Sequence, residues 1–396
     1  MDETGNMKKT TKKTEHAGLR TERRFLAWGL GLPLAICMCV MIVNWLVDPL
    51  WCFNHPVPAG HWQAMFNDRV QKANILVFKR PRVGTLLLGS SRVMYTDPAL
   101  WGKDGFNYAV NTMVPSEYAP AVRNVRRTVG MPERIVAGFD FLGASIRREQ
   151  EAASRSADTR RHVDEATNPL YRVKCLLDYN VFRNAMKNVF RKGFEEKDGT
   201  IRYDGGPRPV LHLAFVNPGP SARREFLADN LQIYGRSYAS FLYDVGHREK
   251  LSEFRAEAGD AAILPFTTPE GTPFLRIIAN TPGLLDDYER WIRDLVRVFG
   301  RVWNFMYVNS VTSDPYLYKE PSHFGPQVSE WIASRVLGSG SCPPDFGVLV
   351  TRENVDEHLR GVRAGIERLR HETDGWNAFY PGMDSRRSQD GAAGKD

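Results

Sequence analysis

Cysteine is scarce in this chain, and its placement suits neither a disulfide framework nor a metal. Five cysteines occur among 396 residues. Cys37 and Cys39 fall inside an apolar run and Cys52 follows it, which leaves Cys175 and Cys342 for the body of the chain. No C-x-x-C pair and no metal-ligand spacing is present, so no metal site and no other cofactor is expected. A strong excess of one charge is also missing. The net charge of +7 is spread along the chain, and no zinc-finger spacing or other nucleic-acid motif accompanies it. Nucleic acid is therefore not an expected partner. Mild basicity serves solubility, or attracts anionic glycans or lipid head groups. With 42% hydrophobic and 25% charged residues the composition is that of an ordinary globular protein.

Charge is absent altogether from Phe25 to Val47, where the one amide is Asn44. At about 1.5 Å per residue this run can cross a hydrocarbon core of roughly 30 Å. Pro33 and the nearby glycines are tolerated in such helices, and Trp45 and Trp51 lie where an interfacial aromatic belt falls. The preceding residues 1–24 carry Lys8, Lys9, Lys12, Lys13, Arg20, Arg23 and Arg24. The positive-inside rule puts this basic tail in the cytoplasm and everything after Asp48 outside. A cleaved signal peptide needs an apolar core of roughly 7–15 residues and a small-x-small site. This core is longer and no such site follows, so a retained anchor over 25–47 is the expectation. An exported location permits a disulfide between Cys175 and Cys342.

The exported residues 48–375 alternate short apolar runs with helical patterns. Val83 to Leu88, between Pro81 and Gly89, reads as a buried strand, and Arg134 to Phe141 as another. Ala261 to Phe266 and Arg301 to Val308 repeat the pattern. Residues 61–79, 115–128, 251–258, 284–299, 328–336 and 354–370 read as helices. This order implies an α/β fold with a mostly parallel sheet covered on both faces. Residues 145–235 interrupt it, first charged and helical, then rich in Gly and Pro around Gly205 to Pro220. They read as an insertion capping one edge of the sheet. From Trp376 to residue 396 the chain is polar and reads as a disordered tail.

Two motifs carry candidate chemistry. The first strand runs into Gly89-Ser90-Ser91-Arg92. In open α/β sheets, ligands bind beyond the carboxyl ends of the strands. A serine there sits on rigid backbone beside turn N–H groups that can hold an oxyanion. Gly-Ser-Ser is also ordinary turn chemistry. The second motif is Glu320-Pro321-Ser322-His323. A serine nucleophile needs a base, and the base needs a carboxylate to fix its tautomer. A three-residue spacing puts both groups on one side of a tight turn or a first helical turn.

Together the motifs resemble the SGNH hydrolase superfamily, and within it the membrane-anchored DltD-like and AlgX/AlgJ-like proteins of cell-envelope glycan acylation. The resemblance spans roughly residues 66–340 and includes the order of elements. It implies a three-layer α/β/α sandwich of SGNH/flavodoxin-like type behind one transmembrane helix. It makes Ser91, rather than Ser90, the nucleophile, His323 the base and Glu320 the acid, with Glu in place of the family's Asp. The family's second block is matched in order by Phe106 to Asn111, with Asn107 and Asn111 as the available oxyanion or substrate residues. No glycine follows there, where one is common. The third block, Gly-x-Asn, reads Gly138-Phe139-Asp140. An ionised Asp140 repels an oxyanion, and loss of one donor costs about 3–4 kcal/mol in the transition state. Asp140 could instead carry a proton or orient Arg92. Arg92 itself could bind an anionic substrate group or pair with Asp140. Arg69 and Lys72 read as solvated or paired.

The function so implied is a serine acyl-ester enzyme, an O-acyltransferase or esterase, acting on an extracytoplasmic glycan or envelope polymer. Its partners would be the bilayer, through residues 25–47, and a membrane protein that delivers the acyl donor. Its location would be the bacterial inner membrane, with the main domain in the periplasm. The rival is a catalytically degenerate, membrane-tethered binding or scaffold protein, favoured by Asp140. A third reading takes both motifs as coincidental in a plain anchored domain.

Overall fold

The computed structural model describes residues 25, 28–53, 55, 63–64, 66–190, 201–203, 211–213 and 220–380. The expected basic tail, most of the Gly- and Pro-rich stretch and the chain beyond Tyr380 lie outside these residues. In chain order the strands are β1 (Gln63–Ala64), β2 (Thr85–Leu88), β3 (Gly105–Asn107), β4 (Arg134–Phe139), β5 (Ile201–Tyr203) and β6 (Leu211–Leu213). There follow β7 (Ala262–Thr267), β8 (Arg301–Asn304), β9 (Tyr318–Glu320), β10 (His323–Phe324) and β11 (Val348–Thr351).

Six of these form the main sheet in the order β11–β8–β7–β4–β2–β3. All neighbours are parallel except β11, which runs antiparallel to β8. Taken without β11, the parallel strands lie in the flavodoxin-like order 2-1-3-4-5. The chain steps from β2 to β3 on one side and then to β4 on the other, which makes the carboxyl end of β2 a topological switch point. Consecutive residues of a strand face opposite sides, and Leu86, Leu87 and Leu88 are all buried. The sheet is therefore covered on both faces, as parallel sheets require.

The covering helices follow from spacing and caps. Helix Pro115–Val129 starts with proline at its first turn, and Glu117 accepts from the Val114 N–H at 3.2 Å. Helix Leu284–Phe299 buries Leu284, Tyr288, Trp291, Ile292 and Leu295, a stripe at three- and four-residue spacing. At the end of β2 the chain must turn sharply. Gly89 takes φ +154°, and a Cβ there would meet Val93 Cγ2 at 2.4 Å and the Gly138 carbonyl at 3.0 Å.

Ahead of this domain, helix Trp28–Val47 is long and apolar enough to cross a membrane. The expected insertion between β4 and β7 runs on to Ala239 rather than 235, with helices Ile146–Ala166, Tyr171–Leu177, Tyr179–Phe190 and Pro220–Ala239. Strands β5 and β6 from the insertion pair with β1 in a small antiparallel sheet. The insertion does more than cap an edge, because its last helix reaches the candidate site.

Two expectations need correction. The tail does not lose structure at Trp376. Helix Gly375–Phe379 is capped by Asp374, and the Trp376 indole is buried and donates to the Thr312 carbonyl at 3.0 Å. Burying one indole outweighs the polarity of its neighbours. Cys175 does not approach Cys342. It packs with Cys52, Leu50 and Val181 in a small separate cluster, and all five thiols are free.

The turn after β2 yields a prediction. Gly89→Ala forces both a strained φ and an overlap with Val93, and should lower the unfolding free energy by about 2–3 kcal/mol. Urea unfolding of the detergent-solubilised chain, followed by tryptophan fluorescence, measures this. A loss within error of zero would show that the turn relaxes freely.

Candidate active site

Ser91 opens a short helix, Ser91–Met94, directly beyond β2. The Ser90 hydroxyl caps it, accepting from the Arg92 N–H at 3.3 Å. Capping uses Ser90 and leaves Ser91 half-exposed at the head of the turn. Across from it, β9 and β10 form a hairpin closed by Pro321 and Ser322 alone, with His323 directly opposite Glu320. The i, i+3 spacing thus works as a tight hairpin and not as a helical turn. The Gly271 N–H donates to the Pro321 carbonyl at 2.7 Å and ties the hairpin tip down.

Ser91, His323 and Glu320 form one continuous relay. His323 Nε2 lies 2.8 Å from Ser91 Oγ, and His323 Nδ1 bonds Glu320 Oε1. An ionised carboxylate only accepts, so Nδ1 carries the proton and Nε2 keeps its lone pair for the serine O–H. Ser322 aims the carboxylate: its N–H donates to Oε2 at 2.7 Å and its hydroxyl to Oε1 at 2.5 Å. Burial alone would raise the Glu320 carboxyl. Attraction to the facing His323 ring and the bonds from His323 and Ser322 hold it below the usual carboxylate range. The edge of the His323 ring packs against Tyr95, centroids 5.6 Å apart.

Arg92 ties the two arms together. Its Nε donates to the Ser322 carbonyl at 3.0 Å, its Nη1 lies 2.8 Å from Asp140 and its Nη2 lies 2.7 Å from Glu270. The Glu270 contact is an ion pair at an angle too poor for a directed hydrogen bond. Burial opposes the arginine's charge, and Asp140 and Glu270 more than restore it. Thr268 Oγ1 donates to Asp140 at 2.5 Å, and Tyr238 donates to Glu270.

The remaining expected residues fall out differently. Asp140 lines the cleft beside Ser91, but its carboxylate is taken by Arg92 and Thr268, so it neither donates to an oxyanion nor stands free. Asn107 holds the carbonyls of Val93, Met94 and Thr96 at 2.9–3.2 Å, and its amide is therefore a brace for the nucleophile helix. Asn111 exposes its side chain while its backbone is clamped by Asp68 and Arg69. Neither Asn107 nor Asn111 supplies an amide to the cleft. Arg69 is paired with Glu117 at 2.9 Å, and Lys72 donates to the Ala109 carbonyl, its ammonium pushed down to about 7 by burial.

These clamps reveal residues that sequence reasoning missed. One turn of helix Asp68–Asn74 fixes the loop 109–111 through Asp68, Arg69 and Lys72. The loop delivers Thr112, at φ +51°, into the cleft wall shared with Ser91, Met113 and Val114. Its N–H makes no hydrogen bond to the described residues. A β-branched residue in the left-handed region is a strained backbone, of the kind found at functional sites. The insertion adds Tyr234, whose hydroxyl lies 3.0 Å from Ser322 Oγ, and Tyr238. Among the described residues no group of three or more His, Cys, Asp or Glu is placed to hold a metal.

The class defined here is an α/β protein with a serine–histidine–glutamate relay at the switch point of its sheet. No protein-family model matches the chain, and searches of curated proteins and of solved structures find no match either.

Two outcomes are expected. Arg92→Met leaves two buried carboxylates without a cation and should cost about 3–5 kcal/mol in urea unfolding. Adding Asp140→Asn and Glu270→Gln should recover part of that loss, whereas no recovery would mean the arginine acts by packing alone. Thr112→Gly keeps the N–H and removes the strain, so stability should rise by about 1 kcal/mol.

Proposed function

We propose that this protein is a membrane-anchored serine acyl-ester enzyme of SGNH type, an O-acyltransferase or esterase acting on an extracytoplasmic glycan or envelope polymer. The observation that carries the reading is the relay of Ser91, His323 and Glu320, with Ser91 half-exposed in an open cleft and the acid buried behind the base. The flavodoxin-like strand order and the sheet covered on both faces support the three-layer fold that this family has. Helix Trp28–Val47 supports the anchor.

In the proposed reaction Ser91 Oγ attacks the ester carbonyl carbon while its proton passes to His323 Nε2. Glu320 stabilises the imidazolium through Nδ1. The tetrahedral oxyanion is held by the Ser91 N–H and the Thr112 N–H, which take the place of the missing amide at Asp140. On collapse, the leaving alkoxide takes the proton from Nε2 and the acyl group stays on Ser91. Water or a sugar hydroxyl then gives its proton to Nε2 and attacks the acyl-enzyme, releasing Ser91. Water makes the enzyme an esterase, and a sugar hydroxyl makes it a transferase. The acyl donor would come from a membrane partner.

A second reading, a degenerate scaffold, is favoured by Asp140 standing where an oxyanion-binding amide belongs. A covalent label separates the two. The full chain in detergent, treated with a fluorophosphonate probe, should be labelled at Ser91. Ser91→Ala and His323→Ala should each lower p-nitrophenyl acetate cleavage by about 10⁴-fold, with their melting transitions kept. If all three proteins stay unlabelled and cleave alike, the scaffold reading stands.

A further inference from the structure

The last turn of the apolar helix meets the insertion. Asn44, the amide of that helix, is buried although most of the helix is exposed. Its Nδ2 donates to the Leu176 carbonyl at 2.8 Å and lies 3.3 Å from that of Asp178. The Leu176 carbonyl is among the last of helix Tyr171–Leu177, which lack intrahelical partners, and that of Asp178 also takes the Phe182 N–H where the next helix begins. The insertion is thus bonded to the apolar helix about one turn before that helix ends at Val47. The small cluster of Cys52, Cys175, Leu50 and Val181 packs the same junction.

The outer side of this junction is apolar. Leu170, Val173 and Leu177, spaced as one helix face, are 71%, 46% and 48% exposed. Tyr179, Val189 and Phe190 on the next helix are equally open, Phe190 at 73%. Cations fringe them. Arg172, Lys174, Arg183 and Lys187 are exposed, and Asp178 is the one acid between 168 and 190. An apolar face with aromatic residues and a basic border is the pattern of a helix lying in a membrane interface.

We infer that helices Tyr171–Leu177 and Tyr179–Phe190 form a second membrane contact, lying in the lipid interface with Leu170, Val173, Leu177, Tyr179, Val189 and Phe190 toward the acyl chains. The bond from Asn44 carries this assignment to the bilayer, because it sets the helix pair at the depth of the last turn of the apolar helix. Lys174, Arg183 and Lys187 then face anionic head groups, while the Arg172 guanidinium lies over the Phe78 ring, 4.3 Å from its centroid. The inference rests on the reading of residues 25–47 as a retained membrane helix. Its consequence is that the insertion, which also supplies Tyr234 and Tyr238 to the site, is held against the membrane surface.

The test uses the full chain in nanodiscs of phosphatidylcholine and phosphatidylglycerol, with a fluorescent amino acid placed by codon suppression at Leu34, Leu177, Phe190 or Val245. The quencher is a phosphatidylcholine bearing a nitroxide high on its acyl chain. Leu177 and Phe190 are expected to be quenched several-fold more than Val245, an exposed residue outside the segment. Quenching at Leu34 with Leu177 and Phe190 at the Val245 level would overturn the inference while leaving the anchor, and would assign the apolar face to a second copy of the chain. No quenching at Leu34 would overturn the anchor and the inference together.

Discussion

A guanidinium without solvent holds this molecule's site together. Arg92 follows Ser91 in sequence and reaches the carbonyl of Ser322, the residue before His323. Between them it gathers one carboxylate from the end of β4 and one from the loop after β7. Four separate stretches of chain therefore converge on one cation. Such a cation is costly to bury and tolerable only when its partners are complete. The positions of Asp140, Glu270 and Ser322 are set against each other through Arg92. The 2.8 Å approach of His323 to Ser91 is a by-product of that closure.

Much of this was legible in the residues. Leu284–Phe299 could be read to its ends because its apolar stripe has helical period and its caps are glycines. Ser91, His323 and Glu320 were named from two short motifs and a family resemblance, and each sits at the boundary of an element. Shorter elements were hidden. β3 has three residues and β10 two, too few to show a period. Thr112 was hidden for another reason: its backbone is unusual, and nothing in a threonine announces a positive φ. Tyr234 and Tyr238 were hidden by distance, since they lie in an insertion whose composition reads as a cap. Asn107 and Asn111 show the opposite failure. Their type suited the task, but neighbouring backbone had first claim on Asn107, and the side chains of Asp68 and Arg69 clamp the backbone of Asn111.

The surroundings of Asp140 follow the same logic. A carboxylate beside a developing oxyanion would oppose catalysis if it were free. Here its charge is balanced before any substrate arrives, by Arg92 on one side and the Thr268 hydroxyl on the other. In the proposed reaction this leaves no side-chain donor at Asp140, and the oxyanion falls to backbone N–H groups. That makes the three-residue clamp from helix Asp68–Asn74 more important than its distance from Ser91 suggests.

The hairpin that carries the base has its own dependence on later chain. The Gly271 N–H pins its tip, and Trp376 packs within reach of Gly271 and Tyr318 while bonding Thr312. A polypeptide emerges from the ribosome in one direction. Ser91 is made early, His323 more than two hundred residues later (232 positions separate them), and the indole that braces the base later still. Throughout that interval the serine is an ordinary alcohol with no base to activate it. On the proposed function, reactivity therefore waits on helix Gly375–Phe379, which carries that indole.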